Sequence, residues 1–309
     1  MVTRRTFLWS LFASASQPST RVAFEVPAGA CDCHTHIFGD PVRFPFWSGR
    51  TYTPEPASID ELRSLHRALR MERVVIVQPS VYGTDNACTV DAIRQLGSRA
   101  RGVAVIDEQA SRADLDALRA RGIRGIRLNL ETFGQTDPAA ARARLRSAIT
   151  QVQPLSWHIQ LFTRLSVIAA LHDDFMSASV PMVFDHFGDA QAALGINQPG
   201  FAALVDLVRG GRAYVKISAP YQVSTEGPEY ADVAPLARAL IKANPARILW
   251  GSDWPHPGGP RATRRLPTEV SPLLPIDDGR VLNQLPVWVP DATTRRTILV
   301  DNPARLYGF

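Results

Sequence analysis

Three cysteines in 309 residues are too few for a disulfide framework, and one would always be left unpaired. No apolar run approaches the roughly 18 residues that cross a bilayer, so no membrane partner is expected. Charge of one sign is lacking too. The 34 Lys+Arg against 29 Asp+Glu leave +5, and the basic residues form no tract longer than Arg264-Arg265. Nucleic acid is therefore not the expected partner. A composition of 45% hydrophobic and 20% charged residues excludes a disordered or fibrous chain. At roughly 150 residues per domain the length would suggest two domains, but an α/β barrel uses about 250 as one.

The beginning of the chain differs from the rest. Thr3-Arg4-Arg5-Thr6-Phe7-Leu8 has the form of a twin-arginine export motif. A short apolar stretch follows, then Ala13-Ser14-Ala15, which fits a small-residue cleavage site. The expectation is a signal and linker over residues 1–26, a mature N-terminus near Ser16, and a periplasmic location. Two chance arginines in a tail would instead leave the protein cytoplasmic. One folded domain is expected over residues 27–309.

From Cys31 onward, short apolar runs at 31–38, 73–80, 101–107, 123–130, 158–162, 181–188, 213–220 and 248–254 read as strands. Amphipathic stretches at 58–70, 85–99, 112–121, 137–150, 164–177, 199–209 and 230–244 separate them, and a last one at 291–307 should be broken near its end by Pro303. Eight such alternations predict the α/β class and a closed (β/α)8 TIM barrel. In strand four, Ile126, Leu128 and Leu130 would face the helices, while Gly125, Arg127 and Asn129 would face the lumen. Glu131 is expected to point away from the lumen, and Cys31 and Cys33 are assigned to the helix side of strand one. The long connections 39–57 and 255–290 each follow a strand and so belong at the carboxyl face, where barrel active sites lie.

Most histidines fall at strand ends. His34 and His36 are two apart on strand one, so both rings and Asp32 are expected on one face. His158 opens strand five, His186 ends strand six, and Asp253 ends strand eight. In a barrel all would border one mouth, as a metal site or an acid/base cluster. His66 and His172 lie in helical stretches, and His256 is expected to shape a loop.

His-Thr-His on strand one, Asp185-His186-Phe187-Gly188, Gly251-Ser252-Asp253-Trp254-Pro255-His256-Pro257 and the C-terminal Asp301-Asn302-Pro303-Ala304-Arg305-Leu306-Tyr307-Gly308-Phe309 together resemble the amidohydrolase superfamily. The resemblance is to its amidohydrolase 2 branch, especially enzymes like the 2-pyrone-4,6-dicarboxylate lactonases. It implies a distorted (β/α)8 barrel and hydrolysis at an ester, lactone or amide carbon. Some relatives isomerise lactones or decarboxylate.

Binuclear members of the superfamily bridge their metals with a strand-four lysine or glutamate, where this chain offers Arg127 and Asn129. Arginine cannot ligate a cation. A mononuclear Zn²⁺ site would draw on His34, His36, His158 and Asp253. The lactonase branch implies the metal-free alternative, which is favoured: Asp253 activates water, while His34, His36 and His186 polarise the lactone carbonyl. Arg127, inward by parity, would hold a substrate carboxylate or else form an internal ion pair with Asp32 or Glu131. The dicarboxylate lactonases carry further arginines where this chain has Phe133 and the segment Ser218 to Gln222. Both departures weaken the case for a dicarboxylate. Gln160, Tyr221 and Gln222 suit hydroxyls, and Gln78, Ser80 and Tyr82 could add donors. The expected partner is a small carboxylated lactone.

Overall fold

The computed structural model describes residues 18–134, 137–258 and 265–309; the twin-arginine motif and the cleavage site lie outside them. Eight strands form one parallel sheet in chain order. They are β1 (Cys31–Thr35), β2 (Arg73–Val77), β3 (Ala100–Ala104), β4 (Ile123–Asn129), β5 (His158–Phe162), β6 (Met182–Phe184), β7 (Ala213–Ser218) and β8 (Ile248–Gly251). Runs such as Val74–Val77 are buried on both faces, as parallel strands under helices must be. Between β8 and β1 the sheet closes into a barrel. There the Asp253 N–H donates to His34 O and the His36 N–H to Trp254 O, each at 2.8 Å. Gly251 permits this approach, since a Cβ on it would lie 2.7 Å from that of His34.

The helices begin where capping chemistry marks them. Ser58 with Glu61 and Ser111 with Asp114 form capping boxes ahead of α1 (Ile59–Leu69) and α2 (Arg112–Ala120). The C-terminal stretch is helical to Tyr307 and is not broken at Pro303. A π-helical turn over Thr297–Asp301 lies just ahead of the proline. The wider turn makes room for a ring that lacks an N–H and would crowd the preceding carbonyls. No described helix is long and apolar enough to cross a membrane. Upstream of the barrel, the Thr20 N–H donates to Asp277 and the Ala23 N–H to Asn283.

The core has two parts. The larger fills the space between barrel and helices. The smaller joins Cys31, Cys33, Val75, Val77, Val103, Val183 and Leu249 around Tyr214 and Tyr307. The two cysteines thus point into the barrel, opposite to the expectation. Three residue steps from Asp32 to Thr35 pair with two from Val74 to Ile76, so β1 carries one extra residue. Such a bulge reverses the alternation. Below it the cysteines face inward, and Asp32 faces outward to His66 on α1 and to Ser252. Above it His34 and His36 face inward. The connections 39–57 and 255–290 meet over the carboxyl face, where Thr53–Pro54 pairs with Val270–Ser271.

Candidate active site

A cavity of about 500 Å³ opens at the carboxyl ends of the strands, bordered by His36, Arg127, His186, Asp253, Tyr52 and Tyr221 among others. Asp253 follows β8 with φ +65°, a strained conformation for a non-glycine residue, held by its N–H bond to β1. Its Oδ2 accepts from Tyr221 Oη at 2.5 Å and from Gln222 Nε2 at 2.9 Å. Its Oδ1 faces His34 Nε2 and His36 Nε2 at 3.4 Å and His186 Nε2 at 3.8 Å. Burial by itself would raise this carboxyl. The surrounding imidazoles, His186 foremost, outweigh it and hold the pKa well below the usual range. Asp253 is therefore ionised at neutral pH. His36 Nδ1 donates to Val77 O at 2.8 Å, which turns its Nε2 toward Asp253. His186 Nδ1 lies 2.9 Å from Ser218 Oγ, and burial lowers this ring's pKa, favouring the neutral form.

A second polar layer lies beneath the cavity. Asp185 Oδ2 accepts from Arg127 Nε (3.2 Å), Arg127 Nη2 (3.1 Å) and Gln160 Nε2 (3.0 Å). Its Oδ1 stands 3.2 Å from His34 Nδ1 and 3.6 Å from Lys216 Nζ. Burial pushes the Asp185 carboxyl up, but His34, Lys216 and Arg127 pull it well below the usual range. Burial likewise lowers the His34 imidazole, and Lys216 beside it lowers it further. Arg127 and Lys216 stand beside the buried Asp185 carboxylate, one on each oxygen.

The structure gathers His34, His36, His186 and Asp253 at one point, with His34 just under the cavity surface rather than bordering it. Arg127 points inward, yet its ion-pair partner is Asp185, not Asp32 or Glu131. Ser80 borders the cavity beside Tyr52, whose hydroxyl burial pushes up to about 12. Tyr82 does not border it. That hydroxyl accepts the Gly39 N–H, and the ring stacks on Phe46. Gln160 belongs to the layer beneath, and Tyr221 and Gln222 donate to Asp253. Gln78 is engaged by Gly83 O, Asp85 O and Thr89.

His158 needs correction. A residue that opens a strand lies at the amino end of the barrel, opposite the mouth. There it pairs with Gly125 and meets Tyr307 edge-on at 5.2 Å. Burial, with Lys216 above it, lowers its pKa to about 3. Glu131 also needs correction, because it borders the cavity. Four residues from Arg127, it shares that residue's parity and not the opposite one, and Arg164 donates to both its oxygens at 2.7 and 2.8 Å. Phe133 is exposed at the rim against Trp47. Sequence reasoning missed Asp185, Lys216, Tyr52 and Arg164. Alternation along β7 would have turned Tyr214, Lys216 and Ser218 inward together.

Without His158, the donors that could hold a cation are His34, His36 and Asp253. Their ligand atoms lie within 4.8 Å of one another, and a second such group is His34, Asp185 and His186. His34 Nε2 makes no well-formed hydrogen bond despite complete burial, so the first trio fits one divalent ion.

The amidohydrolase family pattern matches residues 31–309. The chain is 34% identical over 295 residues to a 4-sulfomuconolactone hydrolase of Rhizobium radiobacter, covering 94% of this chain and 93% of the relative. It is 34% identical over 309 residues to a 2-pyrone-4,6-dicarboxylate hydrolase of Comamonas testosteroni, covering 96% and 94%. Among solved structures it is similar to a candidate 2-pyrone-4,6-dicarboxylic acid hydrolase of Acinetobacter baumannii with citric acid bound. That match has a TM-score of 0.74 and 26% identity, over 91% of this chain and 100% of the other.

Proposed function

The chain belongs to the amidohydrolase family, and from that premise we propose that it opens the lactone ring of a small carboxylated molecule. The observation that carries this reading is an ionised, buried Asp253 in the same cavity as the Arg127 guanidinium. Arg127 takes the substrate carboxylate, for which its planar fork of donors is suited. Asp253 accepts a proton from water as the water adds to the lactone carbonyl, then returns one to the departing ring oxygen. His186 borders the cavity and stabilises the charge that develops on the carbonyl oxygen, and His36, whose Nδ1 proton is committed to Val77 O, joins it when its Nε2 also carries a proton. His34, one layer down, acts on Asp253 and not on substrate. Arg164, held by Glu131, offers a second positive group to an anionic substituent.

The reading is metal-free. It is supported by two cations of the chain itself, Arg127 and Lys216, already set against the buried carboxylate below the cavity, since adding further positive charge there is costly. A bound divalent ion would be held by His34, His36 and Asp253 and would supply Lewis-acid polarisation of the carbonyl. Acid release from a panel of carboxylated and sugar-acid lactones, measured with and without a strong chelator, tests the proposal. Activity that survives chelation supports it; loss restored by zinc assigns a metal enzyme. A product isomeric with the substrate, with no new acid group, assigns an isomerase. Export through the twin-arginine route is part of the proposal. An intact N-terminus on protein recovered only from cytoplasm would overturn it.

A further inference from the structure

Only two of the chain's basic residues are lysines, against 32 arginines. Lys242 is exposed on the helix Ala234–Ala243. Lys216 is completely buried at the centre of the barrel, and the ring-opening chemistry leaves it without a task. It does not border the cavity, so no substrate atom meets it. Its Nζ donates to Gln160 Oε1 at 2.7 Å and stands 3.3 Å from His34 Nδ1.

An ammonium has donors and no acceptor, so its partner at Nδ1 must be a lone pair. Neutral His34 then carries its proton on Nε2, where it points at Asp253 Oδ1, 3.4 Å away. The other tautomer would set an N–H against the ammonium and a bare nitrogen against the carboxylate. We infer that Lys216 is a positioning residue that fixes the Nε2–H tautomer of His34 and so withholds His34 from a divalent cation. Asp185 Oδ1 is as near, 3.2 Å from Nδ1, but makes no well-aligned hydrogen bond there, so it draws the proton to that nitrogen once the ammonium is gone. The His34 Nε2 lone pair would then face the cation position, with a carboxylate behind the ring, the arrangement of histidine ligands in metal sites. A lysine serves here because its charge is compact, whereas a guanidinium would spread over several neighbours.

The inference deepens the metal-free part of the proposed function and rests on it. Its test needs no substrate. Nitrogen-15 NMR of the imidazoles should show His34 as the Nε2–H tautomer in the full chain and as Nδ1–H in Lys216→Met. After exposure to zinc alone and gel filtration, Lys216→Met should bind zinc at least tenfold more tightly than the parent. Lys216→Gln, whose amide can turn its oxygen to Nδ1 and accept a proton there, should lose the uniform Nε2–H tautomer of the parent. An Nδ1–H tautomer in the parent would overturn the inference, as would equal zinc affinity in parent and Lys216→Met. Should the methionine variant not fold, the parent tautomer and the glutamine variant decide. Absence of lactonase activity alongside the expected tautomers would fell the functional reading and leave this one standing.

Discussion

The mouth and the floor of this barrel are built from the same eight strands, and each holds histidines, yet the two ends do opposite things with them. At the mouth, His36 and His186 share a carboxylate and border a cavity. At the floor, His158 is sealed between Gly125 and Tyr307, and neither ring nitrogen makes a well-formed hydrogen bond. The difference comes from strand direction: His186 follows a strand and His158 begins one. Burial alone does not make an imidazole functional; the mouth adds the Asp253 carboxylate within reach of the ring.

The largest expected effect is at the centre of the mouth. Asp253→Asn should lower turnover by about 10³-fold or more while leaving ligand binding largely intact, because the amide cannot accept the proton of water. A loss under tenfold would show that Asp253 is not the base. Arg127→Met should act on binding instead. Removing one side of a desolvated charge pair should raise KM for a carboxylated substrate by an amount equivalent to about 2–5 kcal/mol. Asp185 would also lose its guanidinium, at a stability cost of about 3–5 kcal/mol read from urea unfolding. An unchanged KM with the stability loss present would make Arg127 a partner of Asp185 alone.

His186→Ala should lower kcat by about 10²–10³ with little change in KM, since a donor to the developing oxyanion acts on the transition state. A change in KM with kcat preserved would make the ring a ground-state contact, no different in kind from an apolar wall.

How far the two ends could be told apart from the sequence depends on what sets each position. The barrel was legible because eight alternations of strand and helix leave little choice of fold. His34, His36, His186 and Asp253 were legible because each lies in or just after a strand, where direction and alternation act together. The extra residue in β1 was not legible: one unpaired residue inverts the faces of Asp32, Cys31 and Cys33 without changing any local pattern. Glu131 was legible, since it continues the parity of Arg127 and Asn129 and borders the cavity with them. Tyr52 reaches the cavity from a long loop whose path is set by its pairing with residues 270–271, over 200 positions away. Lys216 was within reach of the alternation rule, but a lone lysine in a strand carries no motif to draw attention to it.

The smallest effect on turnover, and the clearest separation of the two ends, should come from His158→Phe. The variant keeps an aromatic edge against Tyr307 at a position that does not border the cavity, so kcat and KM at pH 7 should stay within about twofold. Stability should respond differently. The folded-state pKa of about 3 lies below the ordinary value of 6.5. Between those values the unfolded chain binds a proton that the folded chain refuses. The contribution of a neutral His158 is thus complete above about pH 6.5 and is lost as pH falls toward 3. At 1.36 kcal/mol per pH unit, this one group should remove about 2–3 kcal/mol between pH 7 and pH 4.5. Urea unfolding at the two pH values should show that loss in the parent and not the His158 part of it in His158→Phe. If both chains lost stability in parallel, burial of the floor histidine would carry no linkage. If turnover fell tenfold, the floor would reach the chemistry after all, and the contrast between the two ends would fail.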